Sequence, residues 1–152
     1  MGLNPSAGAV EPLQAPERLT DKLAALLMQR MALGLRPMVV TIHSFTPVYF
    51  GQPRAVEFGV IHDADPTLAA LILSGAQAAG KLNSALNEPY SAKDDVTHTL
   101  RLHATPYSLP NAMLEVRNDL IATADAQQAM AETLAPVLNM GLEEIQKQAK
   151  AS

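Results

Sequence analysis

Residues 39–47 read VVTIHSFTP. Val39, Val40, Thr41 and Ile42 carry branched side chains that pack well on a pleated surface. They run into a histidine, a serine and a loop stopped by Pro47. With Pro37 and Met38 ahead of it, the run is almost continuously apolar, the pattern of a strand covered on both faces in a mostly parallel sheet. His43 then falls at the carboxyl end of that strand. Two readings follow for it: a packed imidazole with one satisfied hydrogen bond, or a ligand or catalytic group presented at a sheet rim.

The rest of the chain fits around this strand. A second apolar run, VEFGVIHD at Val56 to Asp63, reads as another strand. Gly59 within it permits close backbone approach, and His62-Asp63 at its end repeats the choice posed by His43. Upstream, Pro16 and Glu17 suit the first turn of a helix. Leu19, Leu23, Leu26, Leu27 and Met31 continue at helical spacing until Gly34. Asp65-Pro66 starts a helix that stops at Gly80, and a short strand is expected near Leu82–Leu86. NEPYS, from Asn87, is a loop. DVTHTLRLHA, from Asp95, reads as a helix of about three turns. Ala112 to Arg117 forms a strand, and Asp125 to Lys150 is mainly helical, with Pro136 as a kink or break. Strands alternating with helices predict an α/β fold, a mostly parallel sheet flanked by helices. Residues 1–15 are expected to be a flexible segment and 16–150 a single domain.

Composition narrows the function. The 152 residues are 48% hydrophobic, which predicts a globular chain. The formal net charge is −4, with no basic run, so neither nucleic acid nor an anionic membrane is expected as partner. No cysteine is present, which excludes disulfides and thiolate zinc sites. The N-terminus lacks the charged and apolar regions of a signal peptide, so a cytoplasmic location is expected. No Gly-rich phosphate loop, H-E-x-x-H or G-x-S-x-G motif occurs.

The chemistry concentrates in MLEVRND, Met113 to Asp119. Strand alternation places Glu115 and Arg117 on one side, with Asp119 as well if the strand extends that far. An apolar strand rarely carries such charges unless they are paired or functional. Here too two readings stand. One is an internal ion pair or a solvated edge; the other is a general-base carboxylate beside a guanidinium that grips an anion. Asn87, Glu88 and Tyr90 put a carboxamide, a carboxylate and a phenol into one stiffened loop, either an ordinary surface turn or the lining of a polar pocket. His98 and His103 do not share a helix face; His103 can lie inward with Leu100.

VTIHSFTPVYFG, FGVIHDADPTLAALIL, LNEPYS, THTLRLHA and SLPNAMLEVRNDLI occur here in an order that resembles the N-formylglutamate amidohydrolase family, over about Arg36 to Ile121. The resemblance implies an α/β fold like that of zinc-dependent exopeptidases, and hydrolysis of N-formyl-L-glutamate to formate and L-glutamate, a late step of histidine degradation. It implies His43 as a zinc ligand and Glu115 as the general base. It also implies Arg117, Asn87, Glu88, Tyr90 and His103 as residues that bind a small N-acyl amino acid. Family members usually begin with a further α/β segment bearing a DHAS-like metal motif. Nothing like it precedes Arg36, Leu86 stands where members carry an aspartate, and Glu57-Phe58 where they often carry Trp-His. These departures predict an N-terminally truncated fold with an incomplete zinc ligand set. They also predict an exposed sheet edge that a partner chain, a second copy included, would cover. The alternative to a hydrolase is a non-catalytic remnant or binding module.

Overall fold

The computed structural model describes residues 15–151. In chain order the elements are α1 (Ala15–Ala32), β1 (Val39–Phe45), β2 (Val48–Tyr49), β3 (Gln52–Pro53), β4 (Phe58–Ile61), α2 (Thr67–Ala79), β5 (Ser84–Leu86), α3 (His98–His103), β6 (Asn111–Arg117) and α4 (Ala124–Ala151). Strands β1, β4 and β6 fall on the apolar runs at Val39, Phe58 and Ala112. Helix α2 begins where the Asp65 carboxylate accepts from the backbone N–H and hydroxyl of Thr67 at 2.9 and 2.6 Å. It ends where Gly80 takes the left-handed conformation.

The four-stranded sheet has the order β1-β6-β4-β5. The β1–β6 and β4–β5 pairs are parallel, while β4 and β6 run antiparallel. The sheet is therefore mainly parallel, with one reversal at its centre. On one face, Phe58, Val60, Ala112, Leu114 and Val116 pack with residues of α2 and α4. On the other, Val39, Ile61 and Met113 pack with Leu27 of α1 and Leu100 of α3. Alternation then assigns Thr41, His43, Phe45, Gly59 and Glu115 to the α1/α3 face.

Several sequence expectations change. Strand β1 is covered on both faces only in its first half. It is an edge strand, and Ile42 is 64% exposed because its surroundings leave it open beside the loop and α4. The expected three-turn helix over DVTHTLRLHA is a short 3-10 turn at Ala92–Asp94 followed by a six-residue α3. The cause is Asp95 in the left-handed conformation (φ 58°), which breaks the path between the two. Pro136 lies inside α4, which runs on through it, so no break divides that element. The β2–β3 hairpin was not foreseen. Phe50 and Gly51 at its tip both have positive φ, 47° and 75°, the tight-turn geometry that two-residue hairpins favour. Of the segment expected to be flexible, residues 1–14 lie outside the described residues, and Ala15 opens α1.

Candidate active site

The carboxylate of Glu115 defines the site. Parallel register sets His43 of the edge strand directly against Glu115, and antiparallel register sets Gly59 on its other side. Glu115 is only 3% exposed, and its Oε2 has no hydrogen-bond partner. Burial without a donor disfavours the charged form. It pushes the Glu115 carboxyl up to about 7, with the Arg54 charge opposing part of the rise. His43, by contrast, is exposed on the open side of β1. A buried, near-neutral acid thus sits one strand in from an accessible imidazole.

The absence of a side chain at Gly59 brings the next component over the sheet. The carbonyl of Glu88 lies against Gly59 in the space a Cβ would take. The loop is anchored by Asn87, which is left-handed at φ 53° and donates its N–H to the Val60 carbonyl at 2.9 Å. The Asn87 side chain reaches His62, with Nδ2 3.1 Å from Nε2, while His62 Nδ1 lies 2.9 Å from the Asp63 carbonyl. The Asn87 amide at Nε2 and the Asp63 carbonyl at Nδ1 hold the ring from both sides. His62 therefore serves as a loop anchor on the β4 side.

Arg54 follows the β2–β3 hairpin and sits among aromatic rings. Its guanidinium carbon is 5.5 Å from the Phe45 ring centre, 4.4 Å from that of Tyr49 and 5.2 Å from that of Tyr90. It donates to the Tyr90 hydroxyl and the Thr46 carbonyl, both at 3.3 Å. Arg117 is engaged differently. Its fork meets both carboxylate oxygens of Asp119, at 2.8 and 3.2 Å, and Nη1 donates to the Arg54 carbonyl at 3.0 Å. Glu57 stands 3.6 Å from it.

Of the residues singled out in the sequence, the structure brings His43, Glu115, Glu88 and Tyr90 to one region of one sheet face, with Asn87 holding the loop there. Arg117 lies at the strand end beside them, tied to Asp119 and to the exit of the hairpin. His103 is buried at the end of α3, and among the described residues no hydrogen bond or ion pair joins it to His43 or Glu115. Asp63 accepts from the hydroxyls of Thr97 and Thr105, both at 2.8 Å, and so fastens the two ends of α3 to the end of β4. Sequence reasoning missed Arg54. The available signal was QPRAVEF, an arginine between the aromatic Tyr49-Phe50 pair and an apolar strand.

The model of the family described as N-formylglutamate amidohydrolase matches residues 20–122. Among solved structures, the chain is similar to the crystal structure of a gene product from Agrobacterium tumefaciens. The two are 43% identical with a TM-score of 0.80, over 90% of this chain and 57% of that one. This chain thus spans little more than half the length of that relative. No curated protein matches the sequence.

Proposed function

The chain belongs to the N-formylglutamate amidohydrolase family, and on that premise we propose that it hydrolyses the amide of an N-acylated acidic amino acid, N-formyl-L-glutamate being the reference substrate, with Glu115 as general base. One observation carries the reading. A buried carboxylate with an unpartnered oxygen and a pKa near 7 stands at a strand rim beside an accessible histidine. A folded protein tolerates such a group at a cost of about 1–3 kcal/mol for the unsatisfied atom, and a base poised near neutral pH is the use that justifies it.

In the proposed reaction Glu115 takes a proton from the water that attacks the formyl carbon. It returns that proton to the amine as the carbon–nitrogen bond breaks, releasing formate and the amino acid. Partial protonation at neutral pH suits a group that must both accept and donate. The Glu88–Tyr90 loop closes one side of this space. Among the described residues no three His, Cys, Asp or Glu side chains gather as a metal cluster. A catalytic zinc takes about three protein ligands, and His43 with Glu115 supplies two donors at most. The described residues alone therefore do not make a full zinc site. His43 remains the donor we assign, and a complete set would draw on ligands beyond those residues.

Formate release from N-formyl-L-glutamate tests the proposal. Turnover above background should fall by about 10²- to 10⁴-fold in Glu115→Gln, the usual loss for a general base. Absence of turnover, or a Glu115→Gln protein as fast as its parent, refutes it.

A further inference from the structure

We propose that Arg54, held in a cage of Phe45, Tyr49 and Tyr90, is the residue that grips the α-carboxylate of the substrate, and that Arg117 is a structural clamp. The inference rests on the hydrolase reading of Glu115 and names the anion-recognising group of that site.

The two arginines differ in what their N–H groups already do. Arg117 commits its fork to Asp119 and a third donor to the Arg54 carbonyl. Gripping a substrate carboxylate bidentately would require breaking that pair. Arg54 makes two long hydrogen bonds, at 3.3 Å, and no carboxylate oxygen lies within ion-pair distance of it among the described residues. Arg101, Arg117 and Lys147 each have such a partner. Arg54 is thus a partly buried cation with donors to spare.

The cage explains how that cation is kept ready. Aromatic faces attract a guanidinium without using its in-plane N–H groups. Three rings at 4.4–5.5 Å therefore hold it in place while only two of its five N–H donors, those to Thr46 and Tyr90, are engaged. Arg117 contributes indirectly by holding the Arg54 backbone carbonyl at 3.0 Å. Preorganisation of this kind lowers the entropy cost of binding.

The position selects which carboxylate. Phe45 shares a sheet face with Glu115, and Glu115 feels the Arg54 charge although the two make no ion pair. Base and cation therefore lie on one sheet face, close enough to feel each other's charge and not paired. In an N-acyl amino acid the α-carboxylate is borne by the carbon attached to the scissile nitrogen, whereas the side-chain carboxylate of glutamate lies further out. A cation this near the base meets the α-group first.

Calorimetric binding to the full chain carrying Glu115→Gln, which prevents consumption of the ligand, tests the assignment. The probes are N-formyl-L-glutamate, N-formyl-L-isoglutamine with its α-carboxamide, and N-formyl-L-glutamine with its side-chain amide. Adding Arg54→Gln should weaken N-formyl-L-glutamate binding about 10- to 100-fold, the worth of a charge-assisted contact. It should also erase the preference for α-carboxylate over α-carboxamide. Arg54→Lys, which keeps charge and ring contact, should weaken binding less, and it serves if Arg54→Gln does not fold. Arg117→Lys should leave the α-preference intact. An α-preference that survives at Arg54 but vanishes at Arg117 overturns the proposal, as does absence of binding by all three probes. Arg54-dependent binding without turnover in the parent chain would instead refute the hydrolase reading and leave this assignment standing.

Discussion

Gly59→Ala isolates the close approach that builds the site. Gly59 does not adopt the left-handed backbone, so alanine is excluded by space rather than by φ. A Cβ there would overlap the Glu88 carbonyl oxygen and lie 3.0 Å from its carbon, with Glu115 Cβ at 3.4 Å. Carbon atoms rest about 3.5–4.0 Å apart; the carbonyl carbon alone would need a lift of roughly 0.5–1 Å, and the more deeply overlapped oxygen sets the loop's displacement at more than about 1 Å. The obstacle is backbone, anchored through Asn87 to Val60 at 2.9 Å and to His62 at 3.1 Å, and it cannot rotate away as a flexible side chain would. Overpacking costs about 1–3 kcal/mol, and weakening one of those anchors adds about 1 kcal/mol. The lower entropy of the unfolded alanine chain offsets only about 0.4–1 kcal/mol. The net loss is about 1–4 kcal/mol, and at about 2–4 °C per kcal/mol for a chain of this size Tm should drop by roughly 2–15 °C. Calorimetric unfolding measures this, and two-dimensional amide NMR should show the largest shifts at 86–91 and 115. Gly141→Ala is the matched control. Its Cβ would meet Ile72 and Leu68 side chains at 3.4 and 3.5 Å, which is ordinary contact, so stability should stay level or rise. A Gly59→Ala protein as stable as its parent refutes the overlap argument.

The remaining predictions concern charge and anchoring. Glu115→Gln should change the pH dependence of stability. With the folded pKa raised from an ordinary 4.5 to about 7, the stability contributed by this group is fully present below pH 4.5 and is lost as pH rises through 7. The parent should therefore weaken across that window relative to Glu115→Gln. The difference is at most about 3 kcal/mol and falls below that because Arg54 and the open β1 side screen the charge; parallel denaturant titrations that stay superimposed from pH 4 to 8 would contradict it. Asp63→Ala removes both threonine fastenings of α3 and strands the Thr97 hydroxyl, which is 1% exposed. It should cost about 1–3 kcal/mol in urea unfolding, the range for a buried group left unsatisfied, and a loss below about 0.5 kcal/mol would remove Asp63 from that role.

What could be read from residues alone was what depends on local pattern. The apolar runs at Val39 and Phe58, the cap at Asp65 and the charged strand at Glu115 are each legible because strand period, capping chemistry and the rarity of buried charge act within a few residues. Whether β1 lies inside the sheet or at its edge is not a local property. Val39 to Ile42 would read the same in either place, and only the order of strands leaves Ile42 open. The same limit explains the two arginines. In sequence, Arg117 stands two residues from Glu115 and claims the anion-binding role, while Arg54 stands 61 positions away behind a hairpin that gives no strong periodic signal. Folding reverses their availability. Asp119, two residues beyond Arg117, turns back to occupy its fork, whereas the β2–β3 turn carries Arg54 onto three rings and within electrostatic reach of Glu115. Sequence proximity identified the strand that bears the proposed base. Which cation is proposed to serve it depends on which guanidinium the fold leaves without a carboxylate partner, and that is decided by contacts between segments the sequence keeps apart.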